Sequence, residues 1–172
     1  MKNCMKRSFI LVFTLLTLTI FAFSEVKIAV FNSQELLQKT KKGNEVLKKL
    51  DNLKSTKERQ IQTLLTELET LERELNSPAL STSARETKAR ILEDKKLNYD
   101  RTVQDAQEEM QNQSGKELGD LEKDFMPIIQ QVGQAKGFTV VLDLVNSGIA
   151  YFNPNTDITA DVIKAVDEKI IK

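Results

Sequence analysis

Between Asn32 and Gly137 the chain offers almost nothing that would stop a helix, and this stretch constrains the fold more than any other. Its one strong interruption is "NSPALSTS" at 76–83, where Pro78 disfavours helical backbone at Ser77. Upstream, Asn32 precedes Glu35 by three residues as in a capping box, and Phe31 and Leu36 occupy the positions of a hydrophobic staple. Downstream, Ser81 or Ser83 can cap a second helix, with Glu86 three residues after Ser83. That helix should stop at "AKGFT", where Gly137 suits a left-handed cap and Lys136 favours the last turn. Helices of about 44 and 53 residues would be roughly 65 and 80 Å long, too long to bury in a domain of this size.

The apolar spacing names their partner. In the first helix Leu47, Leu50, Lys54, Lys57, Ile61, Leu64, Leu68, Leu71 and Leu75 alternate by three and four. Tyr99, Val103, Ala106 and Met110 do the same in the second, and after the polar "QNQSGKE" (111–117) a seam resumes one place shifted, at Leu118, Leu121, Phe125, Ile128 and Val132. One narrow seam per helix marks a coiled coil. Charge sets the direction: residues 39–59 sum to +5 and 100–124 to −5, while 60–80 sum to −3 and 81–99 to +2. Folding back at Pro78 opposes unlike signs, which selects an antiparallel hairpin. In that register Gly115 lies opposite Gly43, a place where the arm could bend.

The two ends read differently. Lys2, Lys6 and Arg7 precede an uncharged run from Phe9 to Phe23, and Ala22 and Ser24 supply small residues for cleavage, so residues 1–24 are expected to be an export signal cleaved after about Ser24. The run is shorter than the roughly 20 residues that span a bilayer. The only cysteine, Cys4, lies in this segment, and the chain has no histidine. Losing the three basic residues leaves the mature chain with three more acidic than basic residues, which argues against a nucleic-acid binder.

"VKIAVFN" (26–32), "FTVVLDL" (138–144) and "IAYF" (149–152) read as strands, the last two joined by a turn at "VNSG". Thr159 can cap a final helix with Asp161 in its first turn, and Ile158 and Ile163 repeat the staple. The expected fold is α+β, mostly α: a long antiparallel coiled-coil hairpin (33–136, turn near 76–82) on a small β-rich body (25–32 plus 137–172). So meagre a sheet has open edges, and joining copies edge to edge would bury Ile28, Val30, Val140, Leu142, Ile149 and Tyr151. The body therefore reads as an oligomerisation hub.

In "VKIAVFNSQELLQ", "KGFTVVLD" and above all "IAY…DITADVIKAV", the sequence resembles the Skp (OmpH-like) periplasmic chaperones across the mature chain. The resemblance implies a jellyfish-like homotrimer whose helical tentacles hold unfolded outer-membrane β-barrel proteins without ATP. Many relatives are basic, whereas this chain is slightly acidic except near the tip, where Arg85, Lys88, Arg90, Lys95 and Lys96 cluster. A transient contact with an anionic membrane surface would rest on them. Client contact is expected at Leu80, Tyr99, Val103 and Met110, with Arg85, Lys88 and Arg90. For the three seam residues, packing inside the hairpin is the competing role.

No phosphate-cradling GxxxxGK[ST] loop is present. Without histidine or a mature cysteine, the usual bases, thiol nucleophiles and soft metal ligands are missing, so neither an enzyme nor a cofactor is expected. Asp143, Asp157 and Asp161 suit turn and cap roles better than a carboxylate site, and the acidic pairs around 108–109 and 117–124 lack the spacing of a calcium loop. The alternative to a chaperone is a coiled-coil scaffold or adaptor.

Overall fold

The computed structural model describes residues 25–170; the expected export signal lies outside them. The elements run β1 (Ile28–Phe31), α1 (Ser33–Lys39), α2 (Lys41–Leu75), α3 (Thr82–Ala135), β2 (Val140–Asp143), a 3-10 turn (Pro154–Thr156) and α4 (Thr159–Ile170). α2 and α3 form the antiparallel hairpin and turn between 76 and 81. β1 and β2 pair in parallel, Ile28 with Val140 through Phe31 with Asp143. A parallel pair needs a crossover; here the whole hairpin serves as one.

The helix ends follow local chemistry. Asn32 Oδ1 accepts from the Glu35 N–H at 3.1 Å, and Ser81 Oγ accepts from the Ala84 N–H at 3.2 Å. The return half of the first capping box is replaced: the Asn32 N–H donates to Thr159 Oγ1 at 3.0 Å, while Glu35 pairs with Lys39 at 2.5 Å. Thr159 therefore does not cap its own helix. Its hydroxyl donates to Asp157 Oδ1 at 2.5 Å and knits the two chain ends together. Gly137 has φ +76°, the left-handed geometry that glycine takes at no steric cost, and the Phe138 N–H reaches back to the Gly133 carbonyl at 3.0 Å.

Two expectations need correction. The first long helix is not continuous, because Thr40 is extended (φ −79°, ψ 151°) and separates α1 from α2. Thr40 lacks any sequence mark of a break; it serves as a cap, its Oγ1 accepting from the Gly43 N–H at 3.1 Å. Second, "IAYF" is not a strand. β1 has β2 on one side, and on the other an isolated bridge joins Val30 to Asp157, with the Ile158 N–H donating to the Val30 carbonyl at 2.9 Å. Residues 157–158 take the second edge of β1, while the turn after β2, held by Asp143 through the Val145 N–H and the Asn146 amide, leaves 149–152 without a strand pairing to β2.

The core sits where the ends meet the root of the hairpin. Ala29, Leu36, Ile158, Val162 and Val166 pack with Leu121, Phe125, Ile128 and Ile129 of α3 and with Val46 of α2. Gly133 lets α3 lie close on β2, since a Cβ there would stand 2.6 Å from Val141 Cγ2. Among the described residues, no buried side-chain nitrogen or oxygen lacks a partner.

Candidate functional site

Two surfaces can engage another molecule: the flanks of the arm and a groove at its root. Along the arm the seam is half-buried, as two rods in water must leave it. Tyr99, Val103 and Met110 all lie in this seam, with Ala106 buried between them. Lys57, half-buried at its seam position, reaches Glu109 at 2.5 Å. The seam shifts by one place as expected, the extra residue falling between Glu117 and Leu121. Gln113 and Glu117 continue it to Leu121, the Gln113 amide donating to Glu117 at 3.0 Å while Lys49 pairs with Glu117 at 3.3 Å. Leu118, read from sequence as a seam residue, faces outward at 41% exposure.

Six ion pairs cross the hairpin and match the opposed charge blocks: Lys42–Asp124, Lys49–Glu117, Lys57–Glu109, Lys95–Glu67, Lys96–Glu72 and Lys88–Glu74. Exposed pairs contribute about 0–1 kcal/mol each, so their role is to select the register. That register differs from a fold centred on Pro78. With Lys49 beside Glu117, Gly115 stands near Asp51 and not opposite Gly43. The two glycines also differ in surroundings. A Cβ on Gly43 would lie 2.2 Å from the Leu37 carbonyl oxygen, whereas at Gly115 nothing among the described residues lies within 4 Å.

The basic tip is largely paired within the chain. Lys88, Lys95 and Lys96 face glutamates of α2, and Arg85 donates to the Leu75 carbonyl, and to that of Ser77 at 3.2 Å, closing the C-terminal end of α2. Arg90 has no ion-pair partner among the described residues. Leu80 is half-buried in the turn, while Ile91 (42%) and Leu97 (50%) are the exposed apolar residues of the distal arm. Sequence reasoning passed over both; the available signal was an apolar residue off the seam in a charged helix.

The groove lies between α1, α3 and β2, holds about 1000 Å³ and is walled by Leu37, Leu118, Phe125, Met126, Val141 and Val145. Met126 and Val145 are well exposed there, and neither was singled out from sequence. Of the residues expected at an oligomer interface, Ile28 and Val140 are exposed, Leu142 and Ile149 half-buried, and Tyr151 is 85% exposed. Val30 is already buried within one chain, at 3%.

The carboxylates have structural work. Asp143 Oδ1 accepts from the Ser33 and Val145 N–H groups at 3.2 and 3.1 Å, Asp157 binds Thr159, and Asp161 pairs with Lys136 at 2.6 Å. Among the described residues no cluster of metal-ligating side chains occurs, and no helix is long and apolar enough to cross a membrane.

Comparisons with known proteins place this architecture. The crystal structure of a candidate outer membrane chaperone (OmpH-like) from Caulobacter crescentus CB15 is similar, with a TM-score of 0.70 and 25% identity, over 84% of this chain and 85% of that one. A search of curated proteins finds no match. The family model described as outer membrane protein (OmpH-like) matches residues 27–166, covering both strands, the whole hairpin and most of α4. The chain therefore belongs to the OmpH-like family.

Proposed function

We propose that this protein is an ATP-independent periplasmic holdase that binds unfolded outer-membrane β-barrel proteins and keeps them from aggregating in transit. The observation that carries this reading is the OmpH-like match along a long arm set on a small body. The arm suits weak, adaptable binding. Its apolar groups lie half-covered in the seam or singly exposed, as at Ile91 and Leu97, among many charges. Client contact is assigned to the seam flanks at Tyr99, Val103 and Met110, to Leu80 at the turn, and to Arg85, Lys88 and Arg90. With most tip lysines ion-paired, contact with an anionic membrane would rest mainly on Arg90.

The domain plan is a cleaved signal at 1–24, a body of 25–32 with 137–172, and the arm at 33–136. Three copies would join through their bodies. In favour of this, β2 pairs with β1 alone among the described residues, and the apolar groove opens beside it. The mating residues are Ile28, Val140, Leu142, Ile149 and Tyr151.

The test combines the mass of the protein in solution with the aggregation of a denatured outer-membrane barrel. A trimer that slows precipitation and gains the mass of one client is expected. Precipitation at an unchanged rate would overturn the holdase and favour a scaffold. Charged substitutions at Tyr151 or Leu142 should give monomers, and Leu80→Asp should leave the trimer intact.

A further inference from the structure

Over one stretch of the arm the two rods do not match. The pairs Lys42–Asp124, Lys49–Glu117 and Lys57–Glu109 fix the register, which sets residues 47–54 of α2 against 112–119 of α3. α2 keeps its seam there, with Leu47 and Leu50 half-buried. α3 answers with "QNQSGKE", and between Met110 and Leu118 it has no apolar side chain. Two of the facing positions are Gly115 and Gly119, and a Cβ at either would meet nothing among the described residues within 4 Å. Apolar side chains on one rod thus look onto a polar and partly empty flank.

The result is a dent of about 480 Å³ in the side of the arm. Leu47, Leu50 and Met110 give it an apolar floor, and Lys48, Lys54 and Asp51 stand among its walls. Lys42, Lys49 and Lys57 are engaged across the hairpin, whereas exposed Lys48 makes no ion pair among the described residues. Lys54 reaches only Glu58 on its own helix, at 3.8 Å. An apolar floor beside uncompensated positive charge suits one kind of occupant, a large apolar side chain with a carboxylate next to it. Covering the side chain supplies affinity in proportion to the area removed from water. The lysines favour an acidic neighbour and disfavour a basic one. Strands of a membrane barrel alternate apolar and polar residues, so in the unfolded chain such neighbours recur.

We propose that this dent is an anchoring site for an unfolded client, taking an aromatic or long aliphatic side chain flanked by an acidic residue, with Lys48 selecting the acid. That the occupant is a client rests on the holdase reading; the preference for an acidic neighbour does not.

Three fluorescent ten-residue peptides test the site by anisotropy with the full mature chain at low salt: one Phe between two Glu, one Phe between two Lys, and one Ser between two Glu. The Phe–Glu peptide should bind about fivefold more tightly than the Phe–Lys peptide. It should bind about tenfold more tightly than the Ser–Glu peptide. Lys48→Glu, at an exposed side chain without an ion-pair partner, should invert the first preference. Lys164→Glu, on α4 and outside the dent, should change neither. Equal affinity for the two Phe peptides, binding of none of the three, or a preference that survives Lys48→Glu unaltered each overturns the site. The holdase is read separately, from the precipitation of a denatured outer-membrane barrel. Discrimination among the peptides with precipitation unchanged keeps the site and refutes the holdase; slowed precipitation without discrimination does the reverse.

Discussion

In the body, both ends of the described chain and the root of the arm converge on one apolar centre, whereas along the arm each side chain meets little beyond the rod beside it. Leu36, Val162 and Val166 are shut off from water, while most seam residues of α2 and α3 remain half-covered. Hydrophobic stabilisation follows the area removed from water. The body therefore gains more per residue, and the arm gains length instead. The difference teaches that this chain separates cohesion from reach, and the two should fail separately.

The sharpest way to break that contrast is to hollow each region in turn. Phe125→Ala in the body should cost about 3–5 kcal/mol, a large part of a typical domain's stability, and lower the urea midpoint of the whole molecule. Leu68→Ala, in the buried part of the distal seam, should cost about 2 kcal/mol. Its effect should be local: amide exchange should quicken between about Gln60 and Lys96 and stay unchanged in β1 and β2. Equal acceleration in both regions would refute the separation.

A finer probe compares the glycines. Gly43→Ala should destabilise by about 1–3 kcal/mol, since the new methyl meets the Leu37 carbonyl where α1 and α2 join. Gly115→Ala should instead raise stability by about 1 kcal/mol, as alanine does in an open helical site. Thermal melts of the two variants should move in opposite directions. Smallest of all, Lys95→Ala removes one cross-arm pair and should cost under about 1 kcal/mol, an effect that fades as salt is added.

Much of the architecture was legible because it repeats. The seam and the charge blocks each extend over many residues, so a single lysine at position 54 or 57 could not obscure them. What escaped depends on one partner far away. Thr40 looks like any helical threonine until the next residue's N–H is seen to meet Asp167 and Gly43 to sit against the Leu37 carbonyl. "IAYF" has strand composition, but β-propensity describes fitness for a half-buried pleat, and the turn after β2 leaves 149–152 unpaired with Tyr151 exposed. The groove was invisible for the same reason. Leu118, Met126 and Val145 become a surface only when α1, α3 and β2 come together.

The parallel pairing of β1 with β2 bears on how the molecule is assembled. β1 is made early and then waits for a partner on the far side of the entire arm. Closing an unstructured loop of that span costs about 4 kcal/mol by the logarithmic law. If the two rods zip first, Lys42 and Asp124 arrive together and the remaining gap shrinks to the ten residues 32–41 on one side and the fifteen residues 125–139 on the other. On that order the arm is a jig for its own base, and folding runs from the outermost turn inward.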